Sequence, residues 1–372
     1  MRIRQHRSAA LAVAVSAALV FAACAQTGGS ADLPAGAAGS GGFSVGVLMP
    51  DNNATRYQNF DKPLIEKRIK ELCGACTVKY ANAQGDASAQ RHQLDTMLIS
   101  GVRVLIFDAV DAGAMRRSVQ QARDAGVPVI AYDRLAGGPI SGFVSFDTYA
   151  IGRLQAQALL RAMGAKAQGG QVLWLASPFK NSPASFPLST SVAMPILKSG
   201  GVQLNTARAF TIPAPNKQDA YAATSAAIAS AGPDTIDGVY AADDVIAAGA
   251  VAALKAAHVD PLPPVVGEDA ELPALRRLVT GEQYMTVYKP YEAEADTAAQ
   301  MAVALGRGRN LDGLAKTTVD SFTTKSVPAV LLTPVAVTAE NIKLTVVADG
   351  MYTVHQICTA ELAAACRNAG LD

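Results

Sequence analysis

From Phe43 onward the chain alternates short apolar or β-branched runs with stretches of helical period, and this alternation restricts its fold class more than any other feature. Residues 44–49, 78–81, 102–107 and 127–132 read as strands. Between them Ile65, Ile69 and Leu72 recur at helical spacing, as do Met115, Val119 and Ala122. Four strand–helix units in succession predict a parallel sheet covered by helices on both faces. The pattern breaks near residues 142–147 and restarts, with strands expected at 172–175, 202–207, 238–241, 265–267 and 284–288 and helices around 149–163, 217–231 and 244–257. Gly126-Val127-Pro128 and Gly200-Gly201-Val202 mark helix ends that lead into strands. The expected fold class is α/β, with two Rossmann-like doubly wound parallel-sheet lobes. A chain of 372 residues is long enough for two such cores.

The first residues belong to another class. Arg2, Arg4 and Arg7 make a positive start, and residues 8–21 form an apolar run. A spanning helix needs about 20 apolar residues, so this run fits a secretory signal instead. It ends in Phe21-Ala22-Ala23-Cys24, which resembles a bacterial lipobox; residues 1–23 are then a lipoprotein signal peptide and Cys24 the lipidation site. Ala23-Cys24-Ala25 also satisfies the rule for ordinary signal peptidase, and plain secretion stays open. Residues 24–42, rich in Ala, Gly and Ser, read as a flexible tether. The three leader arginines account for the formal charge of +1, so the chain beyond Cys24 carries −2. That balance argues against a nucleic-acid partner, which requires clustered Lys and Arg.

Export implies an oxidising compartment. Five cysteines leave one over, but acylation of Cys24 leaves four, which allow three connectivities. The local pairs Cys73–Cys76 and Cys358–Cys366 are the simplest of these. Cys73-Gly74-Ala75-Cys76 also fits a redox or metal pattern, but no second metal half-site lies nearby. A structural disulfide is the expected reading, with no metal and no cofactor.

In open α/β sheets ligands bind beyond the carboxyl ends of the strands. Those ends carry Asp51, Asn82, Asp108, Asp133-Arg134, Ser177, Asp243-Asp244, Glu268-Asp269 and Lys289. A polar residue after a strand is commonly a helix cap, as Asp243 or Asp244 would be. Charges at so many strand ends on both lobes point further. Carboxylates and amides accept hydroxyl protons while Arg and Lys donate, which is the mixture a sugar needs. Catalysis is not expected: His6, His92, His258 and His355 lie in no triad or zinc pattern, and no nucleophile elbow or P-loop occurs.

Ala131-Tyr132-Asp133-Arg134, Val144-Ser145-Phe146-Asp147 and Ile151-Gly152-Arg153-Leu154-Gln155-Ala156 resemble the periplasmic sugar-binding proteins of ABC transporters, above all their xylose-binding members. The likeness continues through Gly267-Glu268-Asp269-Ala270, Met285-Thr286-Val287-Tyr288-Lys289-Pro290 and Leu331-Leu332-Thr333-Pro334. It implies a type I periplasmic binding protein fold with a three-crossing hinge near residues 147–150, 287–290 and 332–334. The N-terminal lobe would be 43–147 plus 290–332, and the C-terminal lobe 148–289 plus 333–372. With the Cys24 anchor expected from the lipobox, the protein would be a lipid-anchored monomer at the cell membrane or in the periplasm. It would capture a xylose-like pentose or related monosaccharide between its lobes and deliver it to an ABC transporter permease. Asp108 is the strand-end candidate of the site. By motif, Arg56 with Tyr57 matches the family's Arg–aromatic pair, and Asp133 with Arg134 its Asp-Arg pair. Asp244 matches the Asp of its Asn-Asp pair, Asp269 that of Gly-Gln-Asp-Ala, and Lys289 the Lys of Val-Tyr-Lys-Pro. Asn181 remains from an Asn-rich loop.

Departures from the pattern bear on the ligand. Pro215 stands where relatives place a Trp beside the sugar, Trp174 reads as core, and Asp243 and Glu268 replace amides. With those side chains facing the cleft, the pocket would be more acidic than a xylose site, which would open it to a cationic or amino-bearing ligand or to another pentose or hexose. A sensory lipoprotein reporting sugar occupancy to a membrane receptor or kinase is the alternative function. A repressor built on the same two lobes does not fit an N-terminus with a signal and tether.

Overall fold

A computed structural model of the chain describes residues 41–51, 56–176, 188–206 and 216–371. The signal peptide, Cys24, most of the tether, Ser177, Asn181 and Pro215 lie outside the described residues. Among those described, no helix is long and apolar enough to cross a membrane.

The first lobe forms from β1 (Ser44–Met49), α1 (Lys62–Leu72), β2 (Thr77–Asn82), α2 (Ala87–Ile99), β3 (Val104–Phe107), α3 (Arg116–Asp124), β4 (Val129–Tyr132) and β5 (Gly142–Phe146). Strands β1, β3 and β4 are buried almost along their length, as a sheet covered on both faces requires. Ile65 and Ile69 of α1 and Met115, Val119 and Ala122 around α3 are all buried, so the helical spacings do face the core. Gly126 takes φ +72 just past α3, in the left-handed region that ends a helix and that glycine adopts without a Cβ penalty.

The second lobe follows, with α4 (Thr148–Met163), β6 (Gln171–Leu175), α5 (Leu188–Ser199), β7 (Gln203–Thr206), α6 (Lys217–Ala231), β8 (Gly238–Ala241), α7 (Asp244–Ala256), β9 (Val265–Val266), α8 (Leu272–Val279) and β10 (Thr286–Tyr288). The chain then returns to the first lobe through α9 (Tyr291–Gly306), β11 (Thr317–Val319) and β12 (Val327–Leu332), and ends in the second lobe with β13 (Val335–Val337), α10 (Val354–Ile357) and α11 (Ala363–Asn368). The first sheet has the order β11-β12-β5-β4-β3-β1-β2, parallel except for β11. The second has the order β7-β6-β8-β9, and a parallel bridge from Val266 to Met285 leads on to the β10–β13 pair. Cores on both faces of each sheet keep the lobes separate, and the chain passes between them at Asp147, at Lys289-Pro290 and at Thr333-Pro334. The Asp147 amide donates to the Leu332 carbonyl at 2.8 Å and ties two of these crossings together.

Of residues 142–147, read from sequence as a break, Asp147 caps α4 and 142–146 form β5. Its first residue hides the strand signal: a Cβ on Gly142 would lie 2.6 Å from Met301 Cε, so α9 packs where a side chain would stand. Trp174 is core and stacks on Tyr240 with ring centroids 4.3 Å apart. Cys73 and Cys76 lie at disulfide distance, as do Cys358 and Cys366. The second pair closes the C-terminal segment, which buries Val346, Ile357 and Cys366 against Leu275 and Leu278 of α8.

Candidate ligand cleft

The six charged residues buried among the described ones are Arg56, Asp61, Asp108, Asp244, Lys289 and Glu294. Buried charges persist only when paired or put to use, so their placement matters more than their number. Five of the six surround the C-terminal strand ends of the first lobe and the hinge.

The turn after β4 brings Asp133 and Arg134 to the cleft. Asp133 holds φ +57, in the left-handed region, so the backbone gives up its preferred conformation to present this carboxylate. Arg56 Nη1 lies 3.3 Å from Asp133 Oδ1. Burial pushes the Asp133 carboxyl up, but Arg56, Lys289 and Arg134 outweigh it and bring it to about 2. Arg134 is less enclosed, with 44% of its side chain exposed, and its guanidinium lies 3.7 Å from Asp108 and 3.6 Å from Asp51. Asp108 at the end of β3 is fully buried, and neither carboxylate oxygen has a hydrogen-bond partner among the described residues. Burial, opposed by Arg134, holds its carboxyl well above the ordinary value. The loop after Asp108 is pinned by Gln90, which donates to the Asp108 carbonyl at 2.7 Å and accepts from the Val110 amide at 2.8 Å.

On the second lobe Lys289 lies 2.9 Å from Glu268 Oε1 and 2.6 Å from Asp269 Oδ1, so the hinge lysine holds both acids that follow β9. Asp269, like Asp133, is left-handed, with φ +98. Tyr291 at the start of α9 donates from its hydroxyl to the Asp269 carbonyl at 3.3 Å, a contact between lobes. Phe60 meets Tyr352 edge-on at a centroid distance of 5.7 Å, also between lobes. The cleft opening there is lined by Arg56, Phe60, Asp269, Glu271, Tyr291 and Tyr352. Among the described residues no group of His, Cys, Asp and Glu is arranged to hold a metal ion.

The placement of two candidates differs from the sequence expectation. Arg56 is only 5% exposed, and its guanidinium is taken up by Asp61, Glu294 and Asp133 and by three tyrosine rings. Asp244 is 1% exposed, and its oxygens accept from Gln283 Nε2 at 2.8 Å, Thr286 Oγ1 at 2.9 Å and the Glu271 amide at 3.0 Å. The room for it comes from Gly267, where a Cβ would lie 2.3 Å from Asp244 Oδ1. Asp244 thus secures the Glu268–Glu271 loop from beneath. Asp243, its neighbour, caps α7 through the Ile246 amide and stands close enough to Asp269 to be repelled by it. Tyr57 is buried and receives the Arg134 guanidinium at its hydroxyl, 3.4 Å away.

Sequence reasoning missed Asp61, Glu294, Gln155, Thr286 and Gln283. Glu294 had a legible signal, since it shares the apolar stripe of α9 with Tyr291, Ala295 and Ala298. Asp61 precedes α1 and would be read as a cap, yet its side chain caps nothing and turns to Arg56. Gln155 donates to the carbonyls of Ala241 and Gly267 at 3.2 Å each and so braces the ends of β8 and β9.

The acids of the second lobe predict a pH response. Burial, reinforced by Asp269, pushes Asp243 up to about 7. Burial pushes Glu268 up to about 7 as well, against the pull of Lys289. In the unfolded chain such carboxyls titrate near about 4, so between about pH 4 and 7 the folded state holds more protons and stability falls as pH rises. The melting temperature is expected to drop between pH 5 and pH 7.5, and Asp243→Asn combined with Glu268→Gln should flatten that slope. A melting temperature that rises or stays level in the unmodified protein would contradict this.

With this geometry in view, the likeness to known proteins is informative. The periplasmic binding protein domain family matches residues 45–310. The D-xylose-binding periplasmic protein of Escherichia coli is 33% identical over 84% of this chain and 92% of its own length. The chain belongs to the sugar-binding periplasmic proteins of ABC transporters. Another relative, the multiple sugar-binding periplasmic receptor ChvE of Rhizobium radiobacter, is 30% identical over 87% of this chain and 94% of its own length. An ABC transporter solute-binding protein of Clostridium phytofermentans, solved with β-D-glucose, superimposes with a TM-score of 0.75 at 24% identity, covering 84% of this chain and 99% of that one. The fold is the type I periplasmic binding protein fold. Members of this family bind substrates and are not enzymes.

Proposed function

We propose that this periplasmic binding protein captures a monosaccharide, a xylose-like pentose or a related sugar, between its lobes and delivers it to an ABC importer while anchored to the membrane through Cys24. The observation that carries the reading is the placement of Asp133, Arg134 and the buried Asp108 at strand ends of one lobe and of Glu268, Asp269 and Lys289 at the strand ends and hinge of the other. Carboxylates that accept and cations that donate around one cleft match a ring of hydroxyls. Contacts that need both lobes favour the closed state by their differential affinity, which makes occupancy visible to a permease. Arg56, Tyr57, Asp108, Asp133, Arg134, Asn181, Asp244, Asp269 and Lys289 are the residues assigned to the site, with Arg56 and Asp244 supporting it from behind.

The test is calorimetry with a panel of pentoses, hexoses and amino sugars on the mature protein. A ligand at a hundredfold excess over Kd should stabilise it by about 2.7 kcal/mol. A folded protein that binds no member of the panel would remove this reading. A sensory role is the second reading, favoured by the relative named as a receptor. A membrane receptor or kinase that co-purifies with the sugar-loaded protein would select it over transport.

A further inference from the structure

We propose that Asp61, aided by Glu294, is a positioning residue that aims Arg56 at Asp133 and thereby sets the ligand-facing carboxylate of the first lobe. Its effect on affinity rests on the reading of Asp133 as a sugar contact; the positioning itself does not. Arg56 is held on two edges. Asp61 Oδ2 accepts from Nε at 2.8 Å and Oδ1 from Nη2 at 3.0 Å, a bidentate pair, while Glu294 Oε2 accepts from Nη2 at 2.7 Å. Both acids are fully buried. With Nε and Nη2 taken, the remaining edge is Nη1, which has no hydrogen bond and lies 3.3 Å from Asp133 Oδ1. The rings of Tyr291, Tyr57 and Tyr132 surround the guanidinium at 4.2, 5.3 and 5.9 Å, so it cannot turn aside without losing them.

Asp61 acts on Asp133 by a second route. The Tyr132 hydroxyl donates to Asp61, and Tyr132 is the residue bonded to Asp133, whose backbone is left-handed. One buried carboxylate thus fixes the neighbour of Asp133 and its cationic partner together. A fully buried acid that caps no helix needs such a role to offset the cost of its desolvation. Glu294 contributes from α9, the helix that leaves the hinge at Lys289-Pro290, so the aim of Arg56 is tied to the crossing that also carries Lys289.

The readout is the titration of Asp133 itself, followed by carboxyl carbon-13 resonance between pH 3 and 6 and assigned by its loss in Asp133→Asn. The charged and titratable groups around Asp133 and Arg56 are Arg134, Lys289, Asp108, Glu268, Asp61, Glu294, Tyr57, Tyr132 and Tyr291. All but the mutated one remain in each variant. Asp133 of the unmodified protein stays ionised through this window, with a midpoint of about 2. In Asp61→Asn the midpoint is expected above about 4, because burial then acts with less opposition from Arg56. Loss of a nearby negative charge would by itself lower the midpoint, so a rise reports position and not charge. Glu294→Gln should give a smaller rise, and it serves as the variant of record if Asp61→Asn does not fold. Affinity for a sugar bound by the unmodified protein should fall at least tenfold in Asp61→Asn at pH 7. A midpoint that stays put or falls in the folded variants overturns the positioning role. A raised midpoint in a protein that binds no sugar upholds it while removing the functional reading.

Discussion

Asp133→Asn is expected to weaken monosaccharide binding by about a hundredfold, close to 3 kcal/mol, while leaving the melting temperature within a few degrees of the unmodified value. The substitution keeps shape and tolerates the left-handed backbone, since Asn enters that region as readily as Asp. What it removes is a charge held by Arg56, Arg134 and Lys289 from two lobes. A hydroxyl that donates to a carboxylate gains a charge-assisted bond, and one that meets an amide oxygen does not. The variant also leaves Arg56, Arg134 and Lys289 with one anion fewer between them, which opposes closure. Calorimetric titration beside a thermal melt separates the two effects. Unchanged affinity in a folded variant would remove Asp133 from the site.

The second large effect concerns Asp244, and it falls on stability. Read from sequence alone, Asp244→Ala should abolish binding and leave the fold intact. The structure gives its oxygens to Gln283, Thr286 and the Glu271 amide, all within the second lobe. Truncation leaves these donors buried without acceptors, at about 1–3 kcal/mol for each one that finds no replacement. A loss of about 3–4 kcal/mol of unfolding free energy is expected, measured by denaturant titration, with weakened binding following from a displaced Glu268–Glu271 loop. Gly267→Ala should reproduce part of the loss, because its Cβ would enter the space that Asp244 occupies. Full stability in Asp244→Ala would show that water or another side chain takes over its partners.

Both effects bear on how much of the site was legible in the sequence. A strand that ends in a charged residue can be read from periodicity, so Asp108, Asp133, Arg134, Asp269 and Lys289 were found at the carboxyl ends of strands. Their orientation cannot be read that way. Asp243 and Asp244 are adjacent, and the one matched to a family motif is turned inward while its neighbour caps a helix. Arg56 was found as half of an Arg–aromatic pair, but its buried partners are a residue five positions on and another on α9, 238 positions away. No local pattern links Arg56 to Glu294.

By itself the sequence determined the α/β class, the division into two lobes and the strands whose ends build the cleft. Those features follow from local periodicity, because a sheet covered on both faces demands apolar strands and half-apolar helices wherever it lies. Only the tertiary structure decided which charges reach the cleft and which are buried behind it. It set residues 142–146 as a strand with α9 packed close beside Gly142, and it placed Asp61 as a clamp on Arg56. Buried charges are stabilised by partners from distant parts of the chain, and those partners are chosen by packing in three dimensions, not by spacing along one.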